Sequence, residues 1–250
     1  MKYIIDLTAV FILLLFVSLS AQTQEEIIIN NNLKIIPITE NTYRHVSNLN
    51  FNGYIVPCNG LLFIDNNECL VVDTPPDDSL TINLIGWIKK NKKVKIIGIV
   101  ATHWHNDCAG GLQAFHSENV PSYSLKFTRD TLMIQNLPAP ENIFTDSMKI
   151  KVGGKFAELY YPGPGHAKDN IVVWLEDEKI LFGGCLVKEF KSKSIGYIGD
   201  ADLNLWDKSL EKVKNKFNDA KTIIPGHGDT GNLELIDKSI KIVLNYKNKK

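Results

Sequence analysis

Four times along this chain an apolar, strand-like run stops at a turn that carries a metal-ligating residue type. Residues 94–100 lead into Ala101-Thr-His103-Trp-His105-Asn-Asp107, and residues 156–161 into Pro162-Gly-Pro-Gly-His166. Residues 179–182 lead into Gly183-Gly-Cys185, and residues 221–224 into Pro225-Gly-His227-Gly. Gly or Pro marks three of these turns, permitting tight bends and close backbone approach. Ligand sites in α/β sheets gather beyond the carboxyl ends of strands. A fold in which the four ends converge on one spot accounts for all four clusters at once. In an extended segment residues i, i+2 and i+4 face one side, so His103, His105 and Asp107 are expected to aim at the same pocket.

The rest of the chain alternates between strand and helix patterns, the signature of an α/β domain. Residues 27–36 are β-rich, and Pro37 ends that run or confines it to an edge. Asn52-Gly53 between residues 47–51 and 54–57 signals a hairpin. Residues 61–65 and 69–73 form a second strand pair around Asn66-Asn67. Pro75-Pro76 breaks the chain before a helix over about 80–90, whose Leu80, Leu84, Ile85 and Ile88 share one face. The near-continuous apolar run 94–100 reads as a buried strand. Helices are expected from Gly110-Gly111 to about 116 and over 125–135, with strands at 156–161, 171–175 and 179–182. Leu203, Trp206, Leu210, Val213 and Phe217 repeat at helical spacing, with Asp200 and Asp202 as candidate N-cap carboxylates. A strand at 221–224 and a helix over 233–246 complete one domain, residues 22–250, without linker or repeat.

Lys plus Arg and Asp plus Glu both total 28 in 250 residues, so the balance points to no nucleic acid and no anionic membrane. The basic residues 247–250 read as a solvated terminus. Lys2, an apolar stretch over about 9–17 and the small residues Ser18, Ser20 and Ala21 follow the order of a secretory signal peptide, residues 1–21. Its apolar core is short for a membrane span. No stable membrane anchor is expected, and the mature chain is expected in the periplasm if the source is a Gram-negative bacterium. Cys58 and Cys69, on neighbouring apolar segments, either pair as a disulfide or stay as buried thiols.

Imidazole, thiolate and carboxylate all bind zinc, at roughly 2.0–2.3 Å. Six ligands are too many for one tetrahedral ion and suit two. Each ion then has three protein ligands and an open position, as catalytic sites do. Four of the six histidines fall in these turns. The other two, His45 and His116, lack any motif and read as ordinary structural residues.

His-Trp-His-Asn-Asp, Gly-His166, Gly-Gly-Cys185 and Pro-Gly-His227-Gly together resemble the metallo-β-lactamase superfamily. The combination is similar to the class B β-lactamases of the dizinc subgroup with a Cys ligand, over about residue 27 to the C-terminus. The resemblance implies a four-layer αβ/βα sandwich with the site at one edge. It implies that His103, His105 and His166 hold one Zn2+ and that Asp107, Cys185 and His227 hold a second. It further implies that Lys188 binds a substrate carboxylate and that the hairpin around Phe51 and Tyr54 is a substrate flap. Many other members of the superfamily follow the Asp with a His and place a bridging Asp where Cys185 stands. Here Cys108 follows Asp107, where the family often has a basic residue. Tyr197 stands where much of the family has an Asn near the substrate carbonyl.

The activity so implied is hydrolysis of the β-lactam amide bond of penicillins, cephalosporins and carbapenems by a monomer. A zinc-bound hydroxide attacks, and Asp107 serves as ligand and proton handler. Two alternatives stay open: another hydrolase on the same scaffold, a lactonase or thioesterase, and an exported zinc-binding protein without turnover. A serine mechanism has little support, since Ser209-x-x-Lys212 lies inside an amphipathic helix and no Lys-Thr-Gly follows.

Overall fold

The computed structural model describes residues 25–249, so the expected signal peptide, residues 1–21, lies outside the described residues. Eight strands follow one another in chain order across the first sheet. They are β1 (Ile27–Asn30), β2 (Leu33–Pro37), β3 (Thr42–Phe51), β4 (Tyr54–Asp65), β5 (Glu68–Val72), β6 (Lys95–Ala101), β7 (Ser122–Leu125) and β8 (Asn142–Phe144). The second sheet holds β9 (Ser147–Val152), β10 (Lys155–Tyr160), β11 (Val172–Leu175), β12 (Ile180–Gly184) and β13 (Thr222–Pro225), in the order 13-12-11-10-9.

Side-chain alternation explains how the sheets stack. On β4, Leu61 and Phe63 join a core shared with Val173, Leu175 and Phe182 of the second sheet. Leu62 between them points the other way, into a core with Leu84, Leu112 and Phe115. Those residues belong to helices α1 (Asp78–Trp87) and α3 (Leu112–Ser117), with α2 (Asn106–Ala109) just before. On the far side, Val172, Trp174 and Leu181 pack with Trp206, Leu210 and Val243 of α5 (Trp206–Lys216) and α6 (Glu234–Lys247). Helices, sheet, sheet and helices make the four-layer αβ/βα sandwich that the resemblance implied. Strands covered on both faces read as continuous apolar runs, which is why residues 94–100 stood out.

Several expectations need correction. Residues 27–36 form two strands, β1 and β2, paired as a hairpin, because Asn31-Asn32 turns the chain. Strands β7, β8 and β9 escaped sequence reading, being short or, in β9, interrupted by lysines. The helix expected over 80–90 ends as α1 at Trp87 and continues as a π-helical turn, Ile88–Lys92, closed by Lys93 at φ 56°. The helix expected from Gly110 divides into α2 and α3, and that over 125–135 is α4 (Lys126–Ile134). The Asn52-Gly53 hairpin is as expected, with φ of 52° and 84°, both positive as a type I′ turn requires. All four cysteines are free. Across β4 and β5, Cys69 pairs with Ile64, six positions from Cys58 (64 − 58). At roughly 3.3 Å per residue that is about 20 Å, far beyond disulfide reach.

His45 and His116 are structural, as read: His116 Nε2 lies 2.8 Å from Ser122 Oγ. The ring of His45 is buried, its Nε2 3.0 Å from the Asp73 carbonyl, and it occupies the space beside Gly60 where a Cβ would lie 2.0 Å away. Burial lowers this imidazole to about 4, against about 6.5 when unfolded. Between those values the unfolded chain binds the extra proton, so stability falls as pH drops from about 6.5 to about 4. Urea unfolding under chelation should show the wild type losing about 2 kcal/mol more than His45→Gln between pH 7.5 and pH 5. Equal losses in the two proteins would show that His45 does not titrate this way.

Candidate metal centre

β6 ends at Ala101, and its exit is pinned by Asp73. The Thr102 N–H donates to Asp73 Oδ1 at 2.8 Å and the Thr102 hydroxyl to Oδ2 at 2.9 Å. The chain then bends, placing His103 and His105 before α2 and Asp107 in the first turn of that helix. The three side chains converge because the backbone turns, which corrects the extended-segment expectation. His166 arrives from the loop after β10. Gly165 before it packs where a Cβ would meet Leu186 at 2.3 Å and Trp206 at 3.1 Å, so a side chain there would have to push Leu186 aside. Trp206 is itself fixed by its indole N–H donating to the Leu186 carbonyl at 2.9 Å.

Cys185 and His227 leave the ends of two adjacent parallel strands, β12 and β13. Gly226 lets the two turns nest, since a Cβ there would lie 2.5 Å from Cys185 Sγ. The Gly226 N–H donates to the Gly184 carbonyl at 2.7 Å. Asn59 of β4 clamps the same loop, its amide donating to the Pro225 and Gly228 carbonyls, both at 2.8 Å.

Two donor triads result. His105 Nδ1 lies 2.9 Å from His103 Nε2 and 3.3 Å from His166 Nε2. Asp107 Oδ2 lies 3.3 Å from Cys185 Sγ and 3.3 Å from His227 Nε2, and Cys185 Sγ lies 3.4 Å from His227 Nε2. A tetrahedral zinc with bonds of 2.0–2.3 Å sets its ligand atoms about 3.3–3.8 Å apart. The far ring nitrogens orient two of the donors. His105 Nε2–H donates to Asp200 Oδ2 at 3.0 Å, and His227 Nδ1–H to the Pro57 carbonyl at 2.9 Å. Their other nitrogens therefore face inward, where they would offer lone pairs to a bound cation.

The electrostatics suit cations at both places. Burial lowers His103 to about 3 and His166 well below the usual imidazole value, so both rings are neutral, the ligating form. Three imidazole nitrogens face one another here, at 2.9 Å and 3.3 Å from His105 Nδ1, where a cation would be bound by all three. Burial opposes ionisation of Asp107, yet the hydrogen bond from His227 and the charge on that ring hold its carboxyl below the carboxylate range. The neighbouring Cys108 thiol draws Cys185 down to about 6. Burial works against charge on His227, but the Cys185 thiolate and Asp107 raise it well above its usual value. The second triad is thus anionic and short of positive charge, and the donor types fit zinc.

Both triads open into a cavity of about 530 Å3, lined also by Phe51, Trp104, Lys188 and Tyr197. Lys188 is half-buried, its Nζ 5.2 Å from the centre of the Trp206 ring, and burial lowers its pKa. Phe51 is 50% exposed, which excludes core packing for it, and meets Tyr197 edge-on at 6.4 Å. Tyr54, 76% exposed, does not line the cavity. The Tyr197 hydroxyl donates to Asp200 Oδ2 at 3.3 Å. Asp200, expected as a helix cap, instead serves His105, while Asp202 Oδ1 accepts from the Leu205 N–H just before α5. Nothing in the sequence distinguished these two roles.

Residues 133–227 match the family model described as the metallo-beta-lactamase superfamily. The chain is similar to the metallo-beta-lactamase type 2 of Bacteroides fragilis, 40% identical over 239 residues, which cover 95% of this chain and 96% of that protein. It is 34% identical over 218 residues to the metallo-beta-lactamase type 2 of Bacillus cereus, covering 86% of this chain and 85% of that one. Among solved structures, a metallo-beta-lactamase from Pontibacter korlensis superposes with a TM-score of 0.83 at 33% identity, over 85% of this chain and 99% of its own.

The Asp200 contact generates a test. Hydrogen-bonded partners of metal-bound imidazoles typically contribute about ten- to a hundredfold in metal affinity. Asp200→Asn should weaken zinc at the three-His triad by that factor, measured by competition with a chromophoric chelator. An unchanged affinity would mean that Asp200 does not orient His105.

Proposed function

The chain belongs to the metallo-β-lactamase superfamily, and on that premise we propose that it hydrolyses the amide bond of β-lactams using two zinc ions. The observation that carries this reading is the pair of three-donor triads facing one cavity that also holds a lysine. His103, His105 and His166 would hold one Zn2+, and Asp107, Cys185 and His227 the other. Bound zinc supplies a Lewis acid and brings the pKa of a coordinated water down to around 7.

The chain's own groups do the rest. The Asp107 carboxylate stands between the triads, Oδ2 toward Cys185 and His227 and Oδ1 3.9 Å from His103 Nε2, placed to take up a proton and return it to the leaving nitrogen. The Lys188 ammonium has no carboxylate within 4.0 Å among the described residues, so it is available for the carboxylate of a bicyclic β-lactam. Phe51 and Trp104 offer apolar walls. Tyr197 contributes an aromatic face to the substrate, because its hydroxyl is engaged by Asp200. Penicillins, cephalosporins and carbapenems are the proposed substrates. Export to the periplasm, proposed from the N-terminal sequence pattern, and action as a monomer complete the reading. No helix among the described residues is long and apolar enough to cross a membrane.

Turnover of a chromogenic cephalosporin should vanish on chelation and return with added zinc, with two ions per chain at saturation. Absence of turnover on all three substrate classes at saturating zinc would defeat the proposal. Full activity with a single ion would defeat its dizinc form.

Lys188→Ala provides a finer test. A hydrogen bond to a charged group contributes about 1.5–3 kcal/mol, so kcat/KM should fall roughly ten- to a hundredfold. Most of the loss should appear in KM, since the contact exists before and during attack. Unchanged kinetics would make Lys188 a bystander.

A further inference from the structure

Beside the second triad lie two more sulfurs. Cys108, next in sequence to Asp107 and 2% exposed, has its Sγ in a group with the Asp107 carboxylate, the Cys185 Sγ and a His103 ring nitrogen, all within 4.8 Å of one another. Cys58 Sγ lies within 4.8 Å of the Asp107 carboxylate and of His227, although its thiol is engaged by the Val56 carbonyl at 3.3 Å. Three of the chain's four cysteines thus lie around the Asp107 carboxylate, from β4, α2 and the turn after β12.

We propose that Cys108 is a metal ligand alongside Cys185, so that the group of His103, Asp107, Cys108 and Cys185 also serves as a two-thiolate site for a thiophilic cation of the cadmium or copper(I) type. Thiolates are the soft ligands of proteins and select soft metals, whereas carboxylate and imidazole do so less. The geometry favours Cys108 over Cys58. Cys108 shares one donor group with Cys185, while Cys58 does not and its thiol already has a backbone partner. Outside that group Cys108 meets the Thr102 hydroxyl, which donates toward its Sγ at 3.6 Å, and the Asp73 carboxyl. When the cation enters, the Cys108 S–H bond breaks, a metal–sulfur bond forms and the proton leaves to solvent, as in thiolate metal sites generally. No redox partner is required. A second thiolate also balances a divalent ion better than the single thiolate and carboxylate do, because Lys188 adds positive charge nearby.

The inference rests on the donor-triad reading, and the experiment separates the two. Cd2+ is titrated into the metal-free full chain, with thiolate-to-cadmium charge-transfer absorbance as the readout. Wild type, Cys108→Ser and Cys185→Ser are compared, and folding is checked by circular dichroism. Cys108→Ser is expected to bind the same number of ions with about half the absorbance, and to lose at least tenfold in preference for Cd2+ over Zn2+. X-ray absorption of the wild type with one equivalent of Cd2+ should count two sulfur neighbours. That count decides the matter if Cys108→Ser does not fold. Full absorbance in Cys108→Ser, or one sulfur in the wild type, overturns the inference and leaves the six-donor zinc reading standing. If Cys185→Ser changes neither cadmium absorbance nor zinc stoichiometry, the donor-triad reading itself is the one that fails.

Discussion

Leu61, Phe63, Leu70 and Val72 of the first sheet share one core with Leu159, Val173, Leu175 and Phe182 of the second, and this contact sets where the strand ends lie. Two sheets packed this way sit about 10 Å apart and resist sliding, because their side chains interdigitate. The site needs that resistance. A slip of one residue along a strand is roughly 3.3 Å, as large as the separations within the donor triads. His103, His105 and Asp107 come from the first sheet, and His166, Cys185 and His227 from the second, so neither triad exists unless the sheets register. Each large apolar side chain buried between them contributes about 1.5–3 kcal/mol.

That stability offsets a costly arrangement at the edge. Three imidazoles face one another, and a carboxylate and a thiolate share a buried corner, where burial opposes charge. Fixed partners hold them there: Asp200 for His105, the Pro57 carbonyl for His227, Asp73 for the exit of β6. Glycines at 165 and 226 give the neighbouring turns room that no side chain would leave. A cation at each triad would draw these donors together, so that metal binding and the local fold would reinforce each other.

Around this edge the mouth of the cavity carries exposed aromatic side chains. Phe51 stands half-exposed on a hairpin that reaches beyond the sheet, touching Tyr197 across the opening. Tyr197 meanwhile ties the mouth to the metal region, since the Asp200 that accepts its hydroxyl also holds His105.

The four strand-to-turn motifs, the α/β pattern and the six donors were legible in the amino-acid sequence, because buried strands must be apolar and tight turns need glycine or proline. The long helices and the Asn52-Gly53 hairpin were legible for the same local reasons. Strands β7 and β8 were not: at four and three residues they are too short to show a period. Sequence could not separate Asp200 from Asp202, since a carboxylate near a helix start looks the same whether it caps the helix or serves a histidine 95 residues away. Nor could it place Cys108 against Cys185, or keep Cys69 from Cys58, because those separations depend on sheet register. Local chemistry is written residue by residue and determined which groups could bind a metal. Which of them meet, and which nitrogen each ring turns inward, was decided only by the packing of two sheets, a long-range contact that no local pattern encodes.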